Sequence, residues 1–355
     1  MTDADERAPS AAVVLTVIGG AVLAVAGVRA SSWLLAPCLL GVVIVVLTRP
    51  AYRALRLRGC PDLVAVAVTF AAGLGVVLGI AAIVAYASVH LTLTVRSHRG
   101  ELEQLVRSVQ RMLVDAGLTG DQSEAFTELV SPRQLLQWSA AIAPPLVSVG
   151  TTAVFFLGFL LFLTIESTQV EERFAGVRAR RPALVRSLRD ATRLIRRYFA
   201  VTAVFAVVVG ALDTVFLAAV GIPDPVLWGV LAAACNFIPY VGFVIGLVPP
   251  ALLALLDGEP GLALTIVVVY VVLNSLVTTL LPAKVVGDVV GLAMSATVVS
   301  LVFWAWALGP LGAVLAVPCT LLVKAVFIDA DPRARHLAPL LNSRAKNRGS
   351  ARFSG

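Results

Sequence analysis

The sequence predicts an all-α integral membrane protein: a multi-pass helical bundle with two discontinuous, re-entrant helical segments and an amphipathic extracytoplasmic arm. Three observations carry that expectation. Apolar residues make up 59% of the 355-residue chain and charged ones only 14%, with a mean hydropathy of +0.93; soluble domains carry about 25% charged residues. The charges gather in a few segments and leave apolar runs of roughly 16–25 residues, enough to cross a ~30 Å hydrocarbon core. Proline and glycine then interrupt two of the longest runs, at 236–242 and 308–312.

The elements follow in order. Span 1 covers 11–28 and span 2 covers 33–48, joined by the tight turn Arg29–Ser32. The next loop holds Arg49, Arg53, Arg56 and Arg58, and arginine in a short loop marks the cytoplasmic side. Span 3 (63–87) runs outward and completes an N-terminal three-span unit, 1–87. The first span follows a stretch without a basic leader and is expected to be retained rather than cleaved. Residues 88–143 form the extracytoplasmic arm. Leu102, Leu105, Val109 and Met112 recur at helical spacing, a break falls at 116–120, and Asp121 with Glu124 opens a second short helix. The arm rests on the membrane or on neighbouring spans, or forms a vestibule that receives a ligand.

Span 4 (145–165) returns inward. Nine arginines between 171 and 198, with Leu184, Leu188 and Ile195 in helical register, predict a basic amphipathic helix on the anionic inner leaflet. Together they make the unit 144–198. Span 5 (199–220) opens a core over 199–328, and 329–355 is a disordered, basic cytoplasmic tail. Both termini then lie on the cytoplasmic side. The net charge of +7 belongs to lipid and topology, because the basic residues flank apolar spans. No nucleic-acid partner is expected.

Residues 226–256 stay apolar for ~31 residues, ~46 Å as one straight helix against a ~30 Å core. Pro239 near the middle removes a helix hydrogen bond and clashes with the preceding turn, so two legs with a break at Asn236–Gly242 fit best. Residues 289–327 repeat the layout around Pro310. Gly242 with Gly246, and Gly312 with Ala316, are small pairs that let helices approach closely. Irregular backbone at membrane depth persists only inside protein or along a wet cavity, and paired interruptions point to a transporter's substrate path. Each segment either bends once across the bilayer or returns to the side it left; Lys284 favours the returning form.

Asn236-Phe-Ile-Pro-Tyr-Val-Gly242 with Gly246 and Pro249-Pro250, then Pro282 with Gly287 and the stretch 309–324, resemble the motifs of the autoinducer-2 exporter (AI-2E) family of PerM-like permeases. The order of spans, arm and basic segment is similar too. The resemblance implies a homo-oligomeric membrane transporter, exporting the quorum signal autoinducer-2 in some members and exchanging sodium for protons in others. Asn274 stands where relatives often carry Gln or Glu.

Chemistry narrows the reading. The three lysines, Lys284, Lys324 and Lys346, follow Ala283, Val323 and Ala345, so there is no P-loop. No HExxH, CxxC or GxSxG occurs, and neither an enzyme activity nor a cofactor is expected. The candidate substrate path is Asn236, Pro239, Tyr240, Gly242, Gly246, Asn274, Pro310 and Gly312, whose uncharged polar groups suit a small polar solute. Asp213, the one carboxylate deep in a span, is a candidate for H+ or Na+ coupling. The principal function is a secondary transporter. The alternatives are a Na+/H+ antiporter and a non-transporting membrane scaffold or sensor.

Overall fold

A computed structural model of the chain describes residues 11–98, positions 100, 101, 104, 107 and 111, and residues 146–285 and 293–331. Every regular element among them is helical. In chain order they are α1 (Ala11–Ala30), α2 (Ser32–Leu57), α3 (Asp62–Ser97), α4 (Leu146–Ser167), α5 (Val170–Arg180), α6 (Pro182–Ala219), α7 (Pro225–Cys235), α8 (Gly242–Leu256), α9 (Pro260–Val285), α10 (Met294–Leu308) and α11 (Pro310–Lys324). A π-helical turn, Ala325–Asp329, closes the series. Five helical stretches among the described residues are long and apolar enough to cross a membrane: Ser32–Leu57, Asp62–Ser97, Pro182–Ala219, Pro260–Val277 and Pro310–Asp329.

Three helices run further than hydropathy suggests. In α2 the arginines 49, 53 and 56 continue the span as helix instead of forming a loop; Arg, Leu and Ala are strong helix formers, and the chain turns only at Gly59, whose φ is +85°. In α3 the helix passes through residue 87 to Ser97. There Ser88, Thr92 and Thr94 each donate a hydroxyl to the carbonyl one turn earlier, at 2.7, 2.7 and 3.0 Å, which lets polar residues extend an apolar helix. The rest of the arm, with its break at 116–120 and the helix expected after Asp121, lies outside the described residues. So do Lys284's side chain, Asp288 and the tail beyond 331.

The third case is α6. The basic segment divides at Arg181, and its second half is one 38-residue helix with span 5, ~57 Å long. Pro182 opens it at the first helical position, where the missing N–H is no loss. The apolar face of the basic half is covered by protein rather than lying along a leaflet. Ile195 and Phe199 share a cluster with Val43 of α2 and with Leu315, Val317, Cys319 and Leu321 of α11.

The two interrupted segments are helical hairpins. Gly246 packs on Ala232, and a methyl group at Gly246 would lie 2.7 Å from the Ala232 Cα; in a continuous helix these positions would be ~21 Å apart. Likewise Ser300 Oγ donates to the Ala316 carbonyl at 3.0 Å, positions ~24 Å apart in a straight helix. Both segments therefore return on themselves, and the single-bend alternative is excluded. Pro239 sits in the turn of the first hairpin, while Pro310 occupies the first position of α11 after Gly309 at φ +71°. Neither proline kinks a helix interior.

The hairpins point in opposite directions. At the base of the first, Trp228 and Ile222 cluster with Ala87, and Leu252 and Leu256 with Val95, toward the far end of α3. Its apex reaches the opposite, arginine-rich end, where Phe237 stacks on Phe199 with ring centroids 6.2 Å apart. The second hairpin is inverted. Its apical residues Ala307 and Leu308 pack on Ala36 and Val28 beside the α1–α2 turn, where Arg29 covers the Trp306 ring at 4.3 Å. Its base, Leu321 and Leu322, lies among the arginine-bearing turns of α2 and α6, closed by the Lys324–Asp329 pair at 3.2 Å. Helix α6 packs against both hairpins.

Candidate functional site

The expected site residues fall into three places. Asn236, Pro239, Tyr240 and Gly242 form the apex of the first hairpin, and Gly246 lies along its second leg. Pro310 and Gly312 begin the second leg of the other hairpin. Asp213 and Asn274 lie on α6 and α9, away from either apex. The two breaks do not face a common point: one apex rests on Phe199 at the arginine-rich end, the other on Ala36 at the far end. Pro239 and Pro310 thus lie toward opposite ends of the bundle, on hairpins that both pack against α6.

The apex of the first hairpin closes largely on its own hydrogen bonds. The amides of Asn236, Ile238, Val241 and Gly242 donate to the carbonyls of Ala232, Cys235, Pro239 and Ile238 at 3.0, 2.9, 2.7 and 3.0 Å. Tyr240 adopts φ +63°, a left-handed conformation for a bulky residue, and its side chain is exposed. Strain of that kind costs about 1–3 kcal/mol and is retained where surrounding structure enforces it. Two residues on, Gly242 packs against the Cys235 carbonyl so closely that any Cβ there would clash. Asn236 and Pro239 are half-buried, so the apex offers an amide and a phenol at its tip.

The second hairpin is held by side chains. The Ser300 and Thr320 hydroxyls hydrogen-bond each other, and Trp304 Nε1 donates to Thr320 Oγ1 at 3.0 Å. Gly312 is pressed on the Trp304 carbonyl, where an added Cβ would clash. Ala316 is wholly buried and supplies the carbonyl that Ser300 binds. The small pairs expected to allow close approach thus do so within each hairpin.

The most unusual group is Asp213. It is 1% exposed, and neither carboxylate oxygen has a hydrogen-bond partner among the described residues. One turn before it, Gly210 meets Gly229 of α7 so closely that a methyl at Gly210 would lie 2.6 Å from the Gly229 carbonyl. That contact brings α6 against the hairpin and shuts water away from the face bearing Asp213. On α9, Tyr270 lies within electrostatic reach of Asp213; it is 2% exposed, and its hydroxyl too has no partner among the described residues. Asn274, buried and engaged in an interaction of its own, sits one turn further along the same face of α9. A buried carboxylate with a phenol within electrostatic reach is a candidate for proton exchange or for holding a small cation. Tyr270 is the functional candidate that sequence reading passed over. Its signal was the spacing of four residues to Asn274 within an otherwise aliphatic run.

At the far end, His90 Nε2 approaches Asp224 Oδ2 at 3.1 Å, and the imidazole edge meets Trp228 at 5.8 Å between centroids. Trp228, fully buried, donates its indole N–H to the Pro223 carbonyl at 3.0 Å. These contacts fasten the base of the first hairpin to α3. The four cysteines are unpaired.

The sequence of this helical bundle has counterparts among known proteins. Residues 14–330 match the model of the AI-2E family transporters. The AI-2 transport protein TqsA of Escherichia coli (strain K12) is 23% identical over 332 residues, 93% of this chain and 95% of that protein. A putative transport protein of Haemophilus influenzae is 22% identical over 329 residues, covering 91% and 94%. The putative transport protein YueF of Bacillus subtilis (strain 168) is 30% identical over 142 residues, covering 40% and 38%. Because the family match runs from the first span through both hairpins to the π-helical turn, this multi-pass bacterial membrane protein belongs to the AI-2E family of transporters.

Proposed function

We propose that the protein is a secondary transporter that exports a small polar solute of the autoinducer-2 type, with its arginine-rich end and both termini in the cytoplasm. The observation that carries this reading is the pair of inverted hairpins packed against α6. Hairpins approaching from opposite ends place breaks in regular backbone at two depths of the bundle, and such breaks belong where polar cargo is handled. The tip of the first hairpin presents the Asn236 amide and Tyr240 phenol, donors and acceptors without fixed charge. Orientation follows from the arginines of α2 and α6, which mark the cytoplasmic side. Flux of autoinducer-2 in proteoliposomes tests the proposal. Asn236→Ala and Pro239→Leu should abolish flux while leaving thermal unfolding and detergent elution unchanged; flux that persists in both variants overturns it.

A second reading is favoured by Asp213. A carboxylate this secluded is suited to alternate between proton and cation, so sodium–proton exchange is the mode of energy coupling, or the whole activity. Sodium-driven quenching of a pH dye in proteoliposomes reads it. Asp213→Asn should abolish the signal, and a signal retained in that variant removes the coupling role.

A further inference from the structure

We infer that Arg196 is the centre of a binding site for a phosphate-bearing anion, assembled where α2 and α6 meet at the arginine-rich end. Nothing in the inference depends on what the protein transports. Val43, Val46 and Leu47 of α2 share an apolar cluster with Leu194, Ile195 and Phe199 of α6. That packing brings the following turn of α2 alongside, and Arg49, Arg53 and Arg193 all lie within electrostatic reach of Arg196. The packing that seats these turns side by side buries Val43 and Ile195, which are 3% and 1% exposed.

The surrounding groups leave one demand unmet. Asp190 is 3.6 Å from Arg193 in an exposed pair, and Arg49 and Arg53 are engaged in interactions of their own. Arg196, by contrast, is only partly buried, yet its Nε–H finds no acceptor among the described residues. A buried donor without an acceptor, set among three like charges, is unfavourable twice over. An anion with several oxygens relieves both conditions.

The geometry favours phosphate over carboxylate. Guanidinium groups grip phosphate oxygens in a two-pronged fashion, and here they come from two helices, α2 and α6, which suits a tetrahedral anion better than a flat one with two oxygens. A phospholipid headgroup and a phosphorylated or inorganic solute present this same chemistry. The site also adjoins the hairpin apex, because Phe199, three residues after Arg196, carries the stacked ring of Phe237.

The purified full-length protein is titrated with inorganic phosphate and glycerol 3-phosphate in detergent, following tryptophan fluorescence. In parallel, its unfolding midpoint is compared in nanodiscs of phosphatidylglycerol and of phosphatidylcholine. Saturable response to the soluble phosphates identifies a solute site; stabilisation by phosphatidylglycerol alone identifies a headgroup site. In either arm Arg196→Gln should weaken the effect by about tenfold, the loss of one charge-assisted hydrogen bond. Arg53→Gln, on the exposed side of α2, should weaken it less and serves if the first variant does not fold. Arg178→Gln on α5 should leave it unchanged. The inference is overturned if neither arm responds, or if Arg178→Gln loses as much as the α2 and α6 variants, which would indicate general charge attraction.

Discussion

At the scale of single residues, buried polarity separates function from packing. Asp213 gains nothing from its neighbours that a carboxylate needs, and an ionisable side chain inside a membrane span costs about 2.5–3.5 kcal/mol on insertion scales. Replacing it should therefore not weaken the fold. The expected outcome is that Asp213→Asn raises the thermal unfolding midpoint in detergent or leaves it unchanged while ion exchange is lost; a clear fall would assign Asp213 a structural role. Trp228 is the opposite case, fully buried with its indole N–H satisfied by Pro223. Trp228→Phe leaves that carbonyl without its donor and opens space, so a loss of about 1–3 kcal/mol is expected, read from the same unfolding curve. Asp213 was legible in the sequence because a lone carboxylate in an aliphatic run has no ordinary reason to be there. Its companion Tyr270 was not, since a tyrosine in a span reads as one more large apolar residue until the fold of α6 against α9 makes them neighbours.

At the scale of elements, close backbone contact decides which positions can change. Gly229 faces the Gly210 carbonyl at 2.6 Å from its would-be methyl, with Thr214 on the same side. Gly229→Ala must push α7 off α6 and should destabilise by about 1–3 kcal/mol, whereas Gly258→Ala tests backbone strain alone, since nothing lies near its added methyl and its φ is +77°. Asp224 offers a subtler comparison. Its φ of +53° is a left-handed strain that glycine relieves, while its exposed pair with His90 is worth at most about 1 kcal/mol. Asp224→Gly should be near neutral and Asp224→Ala clearly worse, measured as the difference in unfolding midpoint. The positions of both breaks could be read from Pro239 with Gly242 and from Gly309-Pro310. Their fold-back could not, because a kink and a full return share the same local residues. Only contacts 14 or 16 positions apart, Gly246 on Ala232 and Ser300 on Ala316, distinguish them. The overrun of α3 and α6 was hidden for a different reason: hydropathy marks where lipid ends, and a helix has no need to stop there.

At the scale of the whole molecule, the inverted hairpins make a topological statement that labelling can check. With the native cysteines replaced, a cysteine at Gly258, beyond the first hairpin, should react with an impermeant reagent from outside the cell. A cysteine at Gly59, between α2 and α3, should react only after the membrane is opened. Labelling of both from the same side would contradict the arrangement of hairpins and α6. The cluster that joins Val43 and Ile195 to Leu315 and Leu321 adds a constraint of another kind. Helix α2 is synthesised long before its partners in α6 and α11. Until those partners emerge, that flank of α2 must be sheltered by lipid, by the insertion machinery or by a chaperone. A truncation ahead of α10 should thus strand an inserted but unfinished protein, and the quality-control proteases of the membrane are its natural fate.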